Sequence, residues 1–347
     1  MRAMVLRGTT LSIQERPTPE PGPGQVLARV LACGICGSDL HAAKFLDGMI
    51  AAARRTGSTA WDESILESGI IMGHEFVAEV VKPGPGAEAW TPGTRVTSIP
   101  VMIDPAAPNG IAAIGYSATY PGAYGDYVLM SAPLLLRVPD GLPDTVAATT
   151  EPCAVGLHAV RQAGIQPGEP ALVLGAGPIG LMTLLWLKHE GVPHVAVSEL
   201  SAERRELASR LGADLVIDPR SQPLAETLQQ ATGRPAPSLV FECIGVPGTL
   251  QLAMDLADRS GRVVVVGACM EEDRILPLVG INKQLTLKFV LGYTPEEYAE
   301  TLQALGSGAI DTSPMITRTV SLDELPAAFT ALADPRDCKV VLIPGSR

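Results

Sequence analysis

Residues in the first 150 positions form short apolar or alternating runs, at 3–6, 26–31, 76–81, 95–99, 127–130 and 134–138. A period of two turns one face of each run towards a core and the other towards water, which is a strand pattern. Pro- and Gly-rich breaks at 18–24 and 82–86 punctuate the runs. The pattern predicts a small barrel or folded sheet whose loops can carry chemistry.

At Pro170 the pattern changes. The segment 170–191 reads as a buried strand, a glycine turn and a helix ended near Gly191. Strands at 194–198, 215–217, 239–242 and 262–266 then alternate with helices at 201–212, 224–230 and 247–256. Alternation of this kind predicts a parallel sheet with helices on both faces and ligands at the carboxyl ends of its strands. The longest apolar run, 171–187, contains Gly175, Gly177, Pro178 and Gly180, so it reads as strand, turn and helix and not as a membrane span.

That turn, GAGPIG, fits G-x-G-x-x-G: Gly175 for the tight turn, Gly177 for backbone approach to a pyrophosphate, Gly180 for helix-on-strand packing, with Pro178 and Ile179 opening the helix. The free N–H groups of the helix start suit phosphates. Glu199 ends the next strand nineteen residues after Gly180, where a carboxylate binds ribose hydroxyls and repels a 2′-phosphate. The expectation is NAD in preference to NADP, with Arg204 and Arg205 as the side chains that could reach a phosphate. Cys243 in FECIG (241–245) and Val266 and Gly267 in VVGAC (265–269) stand at strand ends and are expected to line the cofactor crevice.

The densest chemistry lies between Cys33 and Glu75. The stretches CGICGSDLH and GHE supply Cys36, His74 and Glu75, a thiol, an imidazole and a carboxylate, the three side-chain types that bind zinc. Ser38 and His41 follow Cys36 closely enough to share its loop and handle a proton beside a metal. A structural site would want four ligands, mostly Cys in close pairs, so the expectation is a catalytic zinc. The Cys33–Cys36 pair also admits a redox dithiol or half of a zinc knuckle, but no second CxxC accompanies it. Glu151, in EPCAVGLHAV (151–160), is expected to reach the site as a fourth ligand or a partner of a metal-bound water. The segment 42–73 holds two helical candidates, 47–55 and 62–67. It predicts a lid in which Phe45, Met49 and Trp61 make an apolar pocket, or else an insertion packed on the barrel.

Length and charge narrow the class. A chain of 347 residues with 46% apolar content suggests about two packed domains. The net charge of −11 comes without a basic run, which argues against a nucleic-acid partner. Six scattered cysteines and no export-like signal suggest reduced thiols in the cytoplasm. Helices at 292–308 and 321–332 and a strand at 338–344 are expected to return to the first domain, with Lys339 approaching the pyrophosphate.

Taken together, GICGSDLH, GHE, PGTRV (92–96), GAYGDYV, EPCAVG, GAGPIG, FECIG and KVVLIP (339–344) resemble the zinc-dependent medium-chain dehydrogenase/reductase family of alcohol dehydrogenase type over essentially the whole chain. EP at 151–152 and VSELSAERR (197–205) are most similar to the sorbitol and polyol dehydrogenase branch. The resemblance implies an α/β protein: a GroES-like β-rich catalytic domain (1–150 and 291–347) and a Rossmann doubly wound parallel sheet (151–290). It implies Cys36 and His74 on zinc, Glu75 and Glu151 as exchangeable ligands or water partners, Ser38 and His41 as a proton relay, and Val155 against the nicotinamide. It also implies a homodimer or homotetramer. The segment 101–125 carries no Cys where many members hold a structural zinc, so one catalytic zinc per chain is expected.

The expected reaction interconverts a secondary alcohol and a ketone with NAD(H). The apolar insertion points to cyclic or aliphatic alcohols, with a polyol-, sorbitol- or threonine-type dehydrogenase as the alternative. A zinc-free enoyl or quinone reductase, and a non-catalytic NAD-binding sensor or structural protein, are the rival readings.

Overall fold

A computed structural model describes the chain except for Thr59, Asp62, Pro108, Arg234, Pro235, 333–335, Ser346 and Arg347. The chain forms two compact units, Met1–Glu151 with Ile316–Arg347, and Pro152–Met315. Among the described residues no helix is long and apolar enough to cross a membrane, and no disulfide joins the cysteines.

The first unit is built on a seven-stranded sheet. Its strands run in the order Ile316–Val320, Lys339–Leu342, Gln25–Gly34, Glu75–Pro83, Arg95–Ser98, Leu135–Arg137, and Tyr127–Ser131 pairs onto Gln25–Gly34. Alternation in these strands sends Val26, Ala28, Val30, Phe76, Ala78, Val80 and Val340 into one apolar core, each 3% exposed or less. A hairpin of Arg2–Arg7 and Thr10–Glu15 packs onto the same core through Met4 and Leu6. The lobe at 101–125 is a small hairpin, Val101–Ile103 against Ile111–Ala113, and the Tyr120 hydroxyl donates to Asp104 at 3.0 Å within it.

The helix Gly37–Thr56 starts at Cys36, its N-cap, and is kinked at Phe45 (φ −137°, ψ 42°). The loop expected for Ser38 and His41 is therefore the first turns of a helix. Ala42, Leu46, Ile50 and Ala53 of this helix are buried against the barrel, and Met49 and Trp61 join the same core while Phe45 stays exposed. The apolar stripe of 42–73 is thus mostly packed on the scaffold. The second helix of that segment is Ser64–Ser68, and Asp62 of the expected 62–67 helix lies outside the described residues.

The second unit is a six-stranded parallel sheet in the order Leu215–Ile217, Val195–Ser198, Ala171–Leu174, Leu239–Glu242, Arg262–Val265, Thr286–Phe289. Its central strand, Ala171–Leu174, is buried throughout and hands the chain to the helix Pro178–His189. The expected boundary at residue 290 moves to 315. Helix Pro295–Ser307 buries Tyr298, Leu302 and Leu305 in this unit and is tied to helix Thr150–Gln162 by His158 Nδ1 to Glu297 at 2.9 Å and by Arg161 to Glu300 at 2.6 Å.

Candidate active site

Strand register assembles the metal-type cluster. Gln25–Gly34 and Glu75–Pro83 pair antiparallel with Gly34 opposite Glu75, and Val341 of the closing strand also pairs with Gly34. The chain leaves Gly34 for Cys36 and the helix Gly37–Thr56, while His74 precedes the strand that starts at Glu75. A Cβ at Gly34 would run into the Glu75 carboxylate and sit 2.9 Å from Lys339 Cε, so only glycine fits.

Cys36, His74 and Glu75 offer a sulfur, a nitrogen and an oxygen that all lie within 4.8 Å of one another. His74 and Glu75 are buried, and Cys36 sits at the positive end of its helix. Asp39, fully buried, is the organiser that the sequence reading did not assign. Its Oδ2 accepts from the Cys36 N–H at 3.0 Å and from the Tyr124 hydroxyl at 2.6 Å. Its Oδ1 faces His74 Nδ1 at 3.5 Å. Burial by itself would lower the His74 pKa, but Asp39 and Cys36 outweigh it and raise it well above the ordinary value. A carboxylate behind one ring nitrogen leaves Nε2 as the atom a metal would take, the usual support of a metal-bound histidine.

Lys339 is fully buried in an ion pair with Glu75, and its Nζ also donates to the Ile35 carbonyl at 3.0 Å. The expected approach of Lys339 to a pyrophosphate is corrected by this placement: the ammonium is enclosed beside the metal-type cluster. Burial works to lower its pKa and Glu75 more than offsets this, so it stays charged. Glu75 Oε1 remains buried with no hydrogen-bond partner. An orphaned carboxylate oxygen in a buried S, N, O donor set is costly for a protein alone and suited to a cation, and these residue types fit zinc. Glu151, in the first turn of Thr150–Gln162, lies outside the tight cluster but near enough to act electrostatically on Tyr116 and Lys339.

Ser38 and His41 stand one helical turn apart on one face. Ser38 Oγ is 2.7 Å from the Tyr116 hydroxyl, which is 2.9 Å from His74 Nε2. Tyr116, far in sequence from the Cys36 and His74 motifs, gave no signal through spacing. Burial, then Lys44, lowers the His41 pKa. Burial pushes the Cys33 thiol well up, which argues against a redox dithiol with Cys36.

In the second unit, Gly175 turns at φ +93°, and a Cβ on Gly180 would enter the Gly175 backbone. Gly177 is extended (φ −68°, ψ 177°) and nothing stands closer to a Cβ there than Arg204 Nη1 at 4.0 Å. Pro178 and Ile179 open the helix, half-buried. Glu199 Oε2 accepts from the Ala176 N–H at 2.7 Å and Oε1 from Ser201 N–H at 2.8 Å, so this acid is held at the glycine turn. Cys243 packs against the Gly180 position, and the N–H groups of Val266 and Gly267 both donate to the Glu242 carbonyl at 2.9 Å. Val155 is half-buried on Thr150–Gln162. The open turn, its helix start and the neighbouring acid fit a dinucleotide.

Comparison with known proteins agrees with both units. Residues 22–140 match the alcohol dehydrogenase GroES-like domain and 178–307 the zinc-binding dehydrogenase domain. The chain is 32% identical to (R,R)-butanediol dehydrogenase of Bacillus subtilis over 91% of its length and 90% of that protein's. It is 30% identical to human sorbitol dehydrogenase over 96% of its length and 92% of that protein's. A solved zinc-binding dehydrogenase of Sinorhizobium meliloti, bound to NADP, covers 99% of both chains with a TM-score of 0.84 at 28% identity. By these matches the chain belongs to the zinc-dependent medium-chain dehydrogenases, in the polyol dehydrogenase branch, and is an oxidoreductase acting on CH–OH groups.

Proposed function

We propose that this chain is an NAD-linked dehydrogenase of a small secondary alcohol that carries a neighbouring hydroxyl, such as a short vicinal diol. The observation that carries the reading is the polar surround of the cluster: the Tyr116 hydroxyl lies at His74 and the Ser38 hydroxyl at Tyr116, while Trp61 and Met49 pack into the core. The named relatives act on a diol and a polyol, in keeping with this. Cyclic and long aliphatic alcohols are the second reading, favoured by exposed Phe45 on the helix that carries Ser38 and His41.

Zinc would be held by Cys36, His74 and Glu75, with Glu151 as an exchangeable partner, and when bound it supplies Lewis acidity to the substrate oxygen. Asp39 orients His74, and Lys339 holds one Glu75 oxygen so that the other faces the cluster. Ser38 takes the hydroxyl proton and passes it towards His41, whose lowered pKa keeps it neutral and able to accept. A dinucleotide held at the turn of Gly175, Gly177 and Gly180 would supply the hydride acceptor.

Glu199 supports NAD, because a 2′-phosphate would meet its carboxylate. Arg205 is committed to Asp218 at 3.1 Å and to the carbonyls of Glu199 and Leu200, and Arg204 lies towards the pyrophosphate turn. The NADP-bound relative makes cofactor choice a direct test. Two copies of the chain would pair through the sheet edge Thr286–Phe289. Among the described residues no strand lies on its outer side, and Phe289, Leu291 and Ile281 around it are 65%, 95% and 69% exposed. The scattered, unbridged thiols support a cytoplasmic setting.

The deciding experiment measures reduction of NAD and NADP by zinc-loaded protein across vicinal diols, polyols, and cyclic and long-chain alcohols. Turnover of diols with NAD is expected. Turnover confined to apolar alcohols overturns the diol reading, and equal use of NADP overturns the role of Glu199.

A further inference from the structure

The reaction just described gives the Tyr116 hydroxyl no proton or hydride to move. It bridges Ser38 Oγ at 2.7 Å and His74 Nε2 at 2.9 Å. His74 Nδ1 faces Asp39, so Nε2 is the nitrogen a metal would take, and Tyr116 holds it. Two further features keep Tyr116 there. A Cβ at Gly115 would lie 3.2 Å from the Gly73 carbonyl, which ties this loop to the residue before His74. Trp61, from the segment between the Cys36 and His74 motifs, donates its backbone N–H to the Tyr116 carbonyl at 2.8 Å and packs ring to ring at 4.7 Å. Trp61 does this with φ 62°, a left-handed conformation that a bulky residue keeps only where its surroundings impose it.

We infer that Tyr116 is a latch on the metal site, a positioning residue that holds His74 Nε2 in the metal-free protein and gives it up when the site is loaded, with Trp61 of the 42–73 insertion setting its reach. Tyr116 then keeps Ser38 as its partner. The insertion so acts on the metal centre through backbone and ring contacts. The inference rests on the assignment of His74 and Cys36 as metal ligands.

Zinc affinity of chelator-stripped protein tests it, measured by competition with a chromophoric chelator for wild type, Tyr116→Phe and Cys36→Ser. Tyr116→Phe is expected to bind zinc roughly two- to tenfold more tightly, the range set by one hydrogen bond that no longer has to be broken. Equal or weaker binding by Tyr116→Phe, with Cys36→Ser strongly impaired, overturns the latch and leaves the metal assignment standing. Undiminished binding by Cys36→Ser overturns both. A second measurement needs no change at Tyr116: zinc should alter tryptophan emission of the wild type, and Trp61→Phe, which retains Trp90 and Trp186, should lose that change. Unchanged wild-type emission on loading overturns the movement of Tyr116.

Discussion

At the scale of single residues, a buried carboxylate decides how Cys36 and His74 are held. Asp39 holds the Cys36 N–H and faces His74, and it sits in the GSD run, where the sequence reading saw only Cys36 and Ser38. His41 has a depressed pKa from burial and from Lys44, so its neutral, proton-accepting form persists below the ordinary histidine value of 6.5. His41→Gln should therefore lower alcohol oxidation most between that depressed pKa and neutrality. The deficit should shrink in alkali, where hydroxide takes the proton directly. The loss should be on the order of a hundredfold at most, the low end for a positioned proton-transfer group. A pH profile of kcat/KM checks this, and a deficit uniform across pH would remove His41 from the relay.

At the scale of elements, the glycine turn separates binding from folding. Gly177→Ala adopts the same extended backbone with open space around its Cβ, so the melting temperature should stay within about 1 °C, as for a surface substitution. The added methyl occupies the approach of the pyrophosphate, and the Kd for NAD should rise by about tenfold or more. Gly180→Ala drives a Cβ into the Gly175 backbone and should cost about 1–3 kcal/mol of stability. Calorimetry and cofactor titration on the two variants separate these effects. A large stability loss in Gly177→Ala would show that its open space is illusory. Strand and helix alternation made this element readable beforehand, because each piece of a buried parallel sheet carries its own period. The helix Gly37–Thr56 was less readable, since Cys36, Gly37 and Ser38 resemble loop residues until the cap is seen.

At the scale of the molecule, the sheet of the second unit ends in an apolar edge. Among the described residues Thr286–Phe289 has one parallel neighbour, Arg262–Val265, and the helix Pro277–Lys283 beside it in sequence buries none of its residues. Pairing of two such edges should make the protein a dimer at micromolar concentration. Leu291→Asp with Phe289→Glu should shift it to monomer by light scattering while the NAD site is retained. Persistence of the dimer would move the interface elsewhere.

What the sequence by itself determined is what short stretches carry: strands by their short apolar or alternating runs, the dinucleotide turn by its glycines, candidate metal ligands by the chemistry of the motifs that hold Cys36, His74 and Glu75, and the family by those motifs taken together. These depend on residues close together in the chain. The tertiary structure alone decided the long-range pairings. Lys339 meets Glu75 because the closing strand lies against Gln25–Gly34. Tyr116 meets His74 because a loop folds over Gly73. Residues 291–315 belong to the second unit, where Glu297 and Glu300 find His158 and Arg161. None of these partners shares a helical turn or a strand, so no periodicity announces them; packing and the pairing of buried charge select them only when the chain is folded.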